Sequence, residues 1–302
     1  MSLEHRIAGL DLPHTSSDDR LHQVLAVALQ QSHSLVNFPA QENYWQSPFF
    51  NLHQVQVFQE ACDTEQFAIL KLASQSLLEE AYFIEKAGVG YMAKMVLLAD
   101  TLEERMLYGL FTADETTHLS QLCYFLPEPA VTVGSNPFLQ LLAEVVEGDD
   151  KAVLLFVVQV VLEGWGLSHY RRLSRSCGDR ALADLFVSFL DAEARHHSTG
   201  RLLFNQTCVS AASQAAIIEV LTNFLSMVQV GPQSVLTAIE QVKGHLSRSQ
   251  KIQILAEMDA EIHSGTRLQL LRSLMRGETG GAIVQRLEEQ GGFVPLPPHR
   301  CV

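Results

Sequence analysis

Between Asp63 and Cys208 the only prolines are Pro127, Pro129 and Pro137, and the rest of that span repeats apolar residues at i, i+3, i+4 and i+7. That period belongs to a helix with one buried stripe, and strand-like alternation is missing, so the expected fold class is all-α. Four long helices are expected. The first runs from about Asp63 to Ala99, capped by Asp63-Thr64 and bent near Gly88 and Gly90. The second covers Thr101 to Phe125, the third Asp150 to Ser174 and the fourth Asp179 to Cys208. Leu126 to Asp149, which holds the three prolines and Gly134, is a long connection with a short helix near Phe138 to Val146. A helix over Asp18 to Val36 and an aromatic-rich stretch, Asn37 to Leu52, precede the four. Helices near Ala211 to Val230, Pro232 to Leu246 and Gln250 to Arg276 follow, then a glycine-rich break and a proline-rich tail from Phe293. The expected organisation is one elaborated domain: residues 1–62 packing on the bundle, a core over 63–208, and a C-terminal helical extension over 209–302.

Composition narrows the partners. Of 302 residues, 47% are hydrophobic and 18% charged, enough apolar material for a large core and too much for a disordered chain. A net charge of −13 repels nucleic acid and anionic lipid, so neither is an expected partner. Apolar runs such as Ala152 to Val158 meet Gln159 and Glu163 well short of the roughly 20 residues a membrane span needs. The five cysteines, Cys62, Cys123, Cys177, Cys208 and Cys301, form no Cys-x-x-Cys pair. That argues against a thiolate metal site and a disulfide framework, and with no leader in Met1 to Asp19 it leads to a cytoplasmic expectation.

The chemistry sits on the long helices. The second carries Glu115-Thr-Thr-His118 and the fourth Glu193-Ala-Arg-His196. At i and i+3 the carboxylate and the imidazole project from one face and can grip one side of a metal centre. One such motif arises easily by chance, so spacing has to carry the inference. The midpoint between Glu80 and the Glu115/His118 pair falls near residue 98, beside the Asp100-Thr101 turn. The midpoint between Glu163 and the Glu193/His196 pair falls near residue 179, in the Cys177-Gly178-Asp179 turn. Residues equidistant from a hairpin turn lie at equal height, so four carboxylates and two imidazoles fall in one layer. Apolar neighbours, among them Phe83, Phe111, Phe186 and Phe189, bury that layer, and the same phenylalanines suggest an apolar pocket beside it for a small organic substrate. Several kcal/mol of desolvation per buried ion makes unpartnered glutamates untenable, whereas two divalent cations neutralise them.

This order and spacing resembles the ferritin-like di-iron carboxylate proteins, which take one Glu from each of two helices and a Glu-x-x-His from each of the other two, around a long crossover. The resemblance covers Asp63 to Cys208. It implies a ferritin-like four-helix bundle with additional N- and C-terminal helices. Glu80 and Glu163 become the single carboxylates, Glu115 and Glu193 the bridging and catalytic ones, and His118 and His196 the imidazole ligands. Asp114 matches the Asp that orients a ligand His in this family; in the second motif Ala192 stands in its place, with Asp191 one residue earlier. The implied cofactors are two Fe ions, or Mn and Fe, with O2 as co-substrate, an external electron donor and a homodimeric state.

Two ligand choices stay open, Glu79 against Glu80 and His196 against His197. Tyr82, Tyr108 and Tyr170 are candidate redox tyrosines, with hydrogen-bonded core positions as the plainer reading. Gly164 and Gly166 either open space for a substrate or serve close helix packing. The expected function is an oxidoreductase that activates O2 or peroxide to oxidise a small organic substrate, as a hydroxylase, N-oxygenase or desaturase does. The alternatives are ferroxidase or iron-handling chemistry, and a non-catalytic metal-stabilised scaffold.

Overall fold

The computed structural model describes residues 6–15, 19–29, 43–126, 136–277 and 280–302. Two helical hairpins form its centre. Helices α1 (Arg20–Ala28) and α2 (Gln56–Gln59) precede α3 (Asp63–Leu98) and α4 (Leu102–Leu122), which make the first hairpin. The crossover carries α5 (Pro137–Glu147), and the second hairpin joins α6 (Lys151–Ser176) to α7 (Arg180–Gln206). Behind them come α8 (Ala211–Gln229), α9 (Gln233–Lys243), α10 (Arg248–Glu257), α11 (Ala260–Met275) and α12 (Gly281–Glu289). Among the described residues there is no strand, only an isolated bridge between Trp45 and Cys177.

The hairpin turns are short because each following helix is capped at once. The Thr101 hydroxyl accepts the Glu104 amide at 3.1 Å, and Asp179 accepts that of Leu182 at 2.9 Å. Lys151, at the start of α6, reaches both Asp100 and Glu104 at 2.7 Å and ties the first turn to the second hairpin. At the other turn the Trp45 indole donates to the Leu173 carbonyl at 3.0 Å and the Gly178 amide to that of Tyr44 at 2.7 Å. Residues 43–52 of the aromatic segment are thereby anchored against the bundle.

Helix α5 is held over the gap between α3 and α6. Buried Lys94 donates to the carbonyls of Val146, Glu147 and Gly148, the end of α5, where its charge also meets the negative pole of the helix. The main-chain nitrogens of Ile7 and Ala8 donate to Glu147 at 2.6 and 3.0 Å. This N-terminal segment crosses α3 at Gly90, where a Cβ would meet the Ile7 carbonyl oxygen at 1.8 Å. Both glycines expected to bend α3 therefore serve close approach, and α3 is one unbroken helix over 36 residues.

Several expectations need correction. The helix expected over Gln250 to Arg276 is two, α10 and α11, because Asp259 turns left-handed at φ 51°. Helix α12 occupies part of the stretch read as a glycine-rich break. Two helices, Lys151–Ser176 and Ala211–Gln229, are long and apolar enough to cross a membrane by length and composition alone, against the expectation that none would be. The first is largely buried within this fold; the second packs against α5, α11 and α12. Residue 18 and residues 30–36 of the helix expected over Asp18 to Val36, residues 37–42 of the aromatic stretch with Pro39, and Pro127, Pro129 and Gly134 lie outside the described residues.

Candidate metal centre

Four helices contribute to one buried cluster. Glu85, Glu115, His118 and Glu193 each offer a ligand atom within 4.8 Å of one another, and so do Glu115, Glu163 and His196. Glu115 belongs to both groups and so joins them into one cluster. Of the six expected ligands, five are brought together: Glu115, His118, Glu163, Glu193 and His196.

The sixth, Glu80, belongs to neither group, and Glu85 stands in the helix α3 position instead. The physical reason is helix rise. Five residues displace a side chain by roughly 8 Å along the axis, which moves Glu80 out of the layer. The hairpin rule itself favours Glu85: its midpoint with Glu115 is residue 100, inside the turn. Apolar neighbours on α3 misled the choice, because this helix is buried on nearly every side, with Glu79, Tyr82, Glu85, Lys94 and Met95 all inside. Glu79 is also outside both groups and accepts from Gln75 at 2.9 Å. His197 turns away from the cluster, its Nδ1 lying 3.1 Å from the Gln159 carbonyl.

Distances around the imidazoles define the centre. His118 Nδ1 lies 3.1 Å from Glu85 Oε2 and 3.5 Å from Glu193 Oε1, and His196 Nδ1 lies 3.1 Å from Glu115 Oε1. Two ligands bound at about 2.1 Å and at right angles to each other are separated by roughly 3 Å, the spacing found here. His196 Nε2 faces Asp114 Oδ2 at 3.3 Å, with Arg195 on the same oxygen at 3.2 Å. Among the described residues no matching carboxylate serves His118 from the far side of its ring: Ala192 is apolar and Asp191 exposed. Phe189 stacks on His118 at 4.0 Å and Phe111 packs on His196 at 4.4 Å.

Two atoms in this cluster, Glu115 Oε1 and His196 Nδ1, are buried without a hydrogen-bond partner although they face each other. With Nε2–H given to Asp114, Nδ1 carries a lone pair, so two lone pairs converge on one point. An unmet buried acceptor costs about 1–3 kcal/mol. A cation is the group that satisfies both, and the residues present therefore fit a metal.

Electrostatics point the same way. Burial first, and then the neighbouring carboxylates, raise the pKa values of Glu115 and Glu193 well above the ordinary value. Burial also pushes on Glu85, but hydrogen bonds and charge from His118, with hydrogen bonds from Glu115 and Tyr170, outweigh it and hold that carboxyl below its ordinary value. Without a cation, the cluster takes up protons to keep its charge bearable.

The three flagged tyrosines divide. Tyr170 donates to Glu85 and lies inside the cluster, stacked on Phe186 at 5.5 Å. Tyr108 donates to Gln159 at 2.6 Å, whose amide in turn donates to the His196 carbonyl at 3.2 Å. Tyr82 pairs with His14 at 2.7 Å.

A cavity of ≈ 70 Å³ opens onto Glu85, Glu115, Glu163 and Glu193. It lies between α3 and α6, whose backbones hardly approach each other, under α5. Its apolar wall is Ile84, Phe138, Leu142, Val146, Leu162 and Trp165. The phenylalanines expected around a pocket, Phe83, Phe111, Phe186 and Phe189, do not line it. Gly166 does, while Gly164 packs on His197 and Leu274. Glu163 is the first residue after a π-helical stretch, Leu154–Leu162, and such wide turns recur at functional sites. Tyr170, Phe138 and Trp165 are contributors that periodicity could not rank, because each reads equally well as core.

Comparison with protein-family models, with curated proteins and with solved structures gave no match, so what is shown of this chain is an all-helical fold with a buried Glu/His cluster able to hold a metal ion.

Proposed function

We propose that this chain is a ferritin-like di-iron oxidoreductase that uses O2 or peroxide to oxidise a small organic substrate. The observation that carries the reading is the apolar cavity whose inner wall is the carboxylate cluster itself. Bound at the cluster, two iron ions would supply the electrons for reducing the oxidant. Glu85, His118 and Glu193 would hold one ion, Glu163 and His196 the other, with Glu115 common to both.

The chain's own groups have separable tasks. Asp114 fixes the His196 ring and leaves its Nδ1 lone pair toward the centre. Tyr170 holds Glu85 through its hydroxyl proton. Glu115 and Glu193, with their raised pKa values, keep or release a proton at a carboxylate oxygen as the charge of the centre changes. Phe111 and Phe189 shield the imidazoles from water, and the apolar cavity wall keeps solvent from quenching a reactive oxidant before it meets the substrate.

The test loads the protein anaerobically with Fe(II), mixes it with O2, and follows oxygen consumption and iron content together. Oxygen consumption at about two irons per chain, with product dependent on added substrate and reductant, supports the reading. Mineralisation of many irons per chain makes the protein a ferroxidase, and two bound irons that never react with O2 make it a metal-stabilised scaffold.

A further inference from the structure

The cavity has a second polar end that the metal centre does not use. Glu80 and His169 both line it. Glu80 lies roughly 8 Å of helix rise from Glu85 on α3, and His169 roughly 9 Å from Glu163 on α6. Because the two helices run antiparallel across the cavity, both displacements go the same way. The result is one elongated space with metal ligands in its middle, a carboxylate and an imidazole at one end, and apolar side chains along its length.

His169 Nε2 is buried and has no hydrogen-bond partner. Leaving such an atom unmet in a folded protein is costly. Among the described residues Glu80 forms no ion pair; Arg267 acts on its charge from a longer distance, outside the cavity lining. Burial pushes the Glu80 carboxyl up to about 7 against that attraction. Burial, with Arg172 and Arg267 nearby, pushes His169 down to about 3, so the ring is neutral and does not repel a cation. A neutral imidazole that can place its lone pair on Nε2 and a carboxylate thus line one cavity, and both are acceptors.

We infer that Glu80 and His169 form a head-group subsite for a primary amine with an apolar tail, which binds along the cavity with the tail directed toward the carboxylate cluster. The ammonium donates to the Glu80 carboxylate and to His169 Nε2, and the tail lies against Ile84, Leu162 and Trp165. A tail of about six carbons spans the roughly 8 Å of rise between Glu80 and Glu85. The site of oxidation is then a tail carbon remote from nitrogen. This rests on the proposed oxidase reading only for the fate of the tail; the subsite itself stands on the cavity, the unmet His169 Nε2 and the Glu80 carboxyl that lines the same space.

The experiment measures binding of n-hexylamine, n-hexanol and hexanoate by calorimetry to metal-free and to Zn(II)-loaded protein, with Zn(II) as a redox-inert occupant of the centre. Hexylamine should bind both forms at least tenfold more tightly than the other two. Glu80→Gln, isosteric and outside the metal groups, should remove that preference while leaving Zn(II) uptake unchanged. His169→Asn should weaken hexylamine binding without moving that of hexanol. Equal binding of amine and alcohol, tighter binding of hexanoate, or full amine affinity in folded Glu80→Gln protein would overturn the subsite. Amine held instead by the carboxylates of the metal-free cluster is exposed by the last of these. Failure of the metal reading shows separately, as no Zn(II) uptake by the parent chain.

Discussion

Asp114 on α4 reaches across to α7, placing its Oδ2 3.3 Å from His196 Nε2, while the other ring nitrogen faces Glu115 at 3.1 Å. The two hairpins are thus coupled through one imidazole whose tautomer is set from outside the cluster. Such partners typically contribute 10–100-fold in metal affinity. Asp114→Ala should therefore weaken one of two sites by about that factor and leave the other, at His118, close to its original affinity. Competition with a chromophoric chelator resolves the two constants. Equal weakening of both sites, or none, would contradict the assignment.

Glu85 and Glu80 separate by function in the same assay. Glu85→Ala should abolish binding at the site it shares with His118, whereas Glu80→Ala should leave two ions per chain by elemental analysis. Loss of metal in the Glu80 variant alone would restore the position first expected from the sequence.

That pair also shows what was readable. Hairpin lengths and Glu-x-x-His spacing are properties of regular helices, so counting residues finds five members of the buried cluster and the layer they share. The α3 member of the cluster does not follow, because a face rule needs a solvent side, and α3 has hardly any. The split at Asp259 rests on one left-handed residue, which periodicity does not register. The cavity was misplaced for a related reason. Phe111 and Phe189 spend their rings on the imidazoles, and much of the cavity wall comes from α5, a crossover helix whose docking depends on Lys94 and on the Ile7 and Ala8 backbone, far away in sequence.

Stability should depend on pH in a definite direction. Glu115 and Glu193 have folded pKa values raised well above 4.5, and Glu80 is raised from 4.5 to about 7. Their contribution is complete below the unfolded value and is lost as pH rises through the folded values. Glu85, lowered, acts in the opposite sense, losing its contribution as pH falls through its folded value. Between pH 5.5 and pH 8 the three raised carboxyls are opposed by His169 and His263, whose lowered values add stability as the unfolded imidazoles lose their protons; with three groups against two, metal-free protein should melt at lower temperature at pH 8 than at pH 5.5. Metal displaces those protons, so the gap in melting temperature between Zn(II)-loaded and metal-free protein should widen with pH. A gap that narrows from pH 5.5 to pH 8 would contradict the buried-carboxylate account.

Gly88 gives a test by reversal of sign. Exchanging a helical Gly for Ala ordinarily stabilises by about 1 kcal/mol. At Gly88 the added Cβ would meet Glu115 Oε2 at 2.4 Å, whereas at Gly109 on α4 it meets nothing within 4 Å. Gly109→Ala should raise the melting temperature with metal binding intact. Gly88→Ala should displace the shared carboxylate and weaken both metal sites, and unchanged binding in that variant would remove Glu115 from its central role.

The most direct measurement is an anomalous-difference map from crystals of protein loaded anaerobically with Fe(II). Two peaks are predicted, one among Glu85, His118 and Glu193 and one between Glu163 and His196, with Glu115 touching both. A single peak, peaks elsewhere on the chain, or none at full loading would contradict the dinuclear centre.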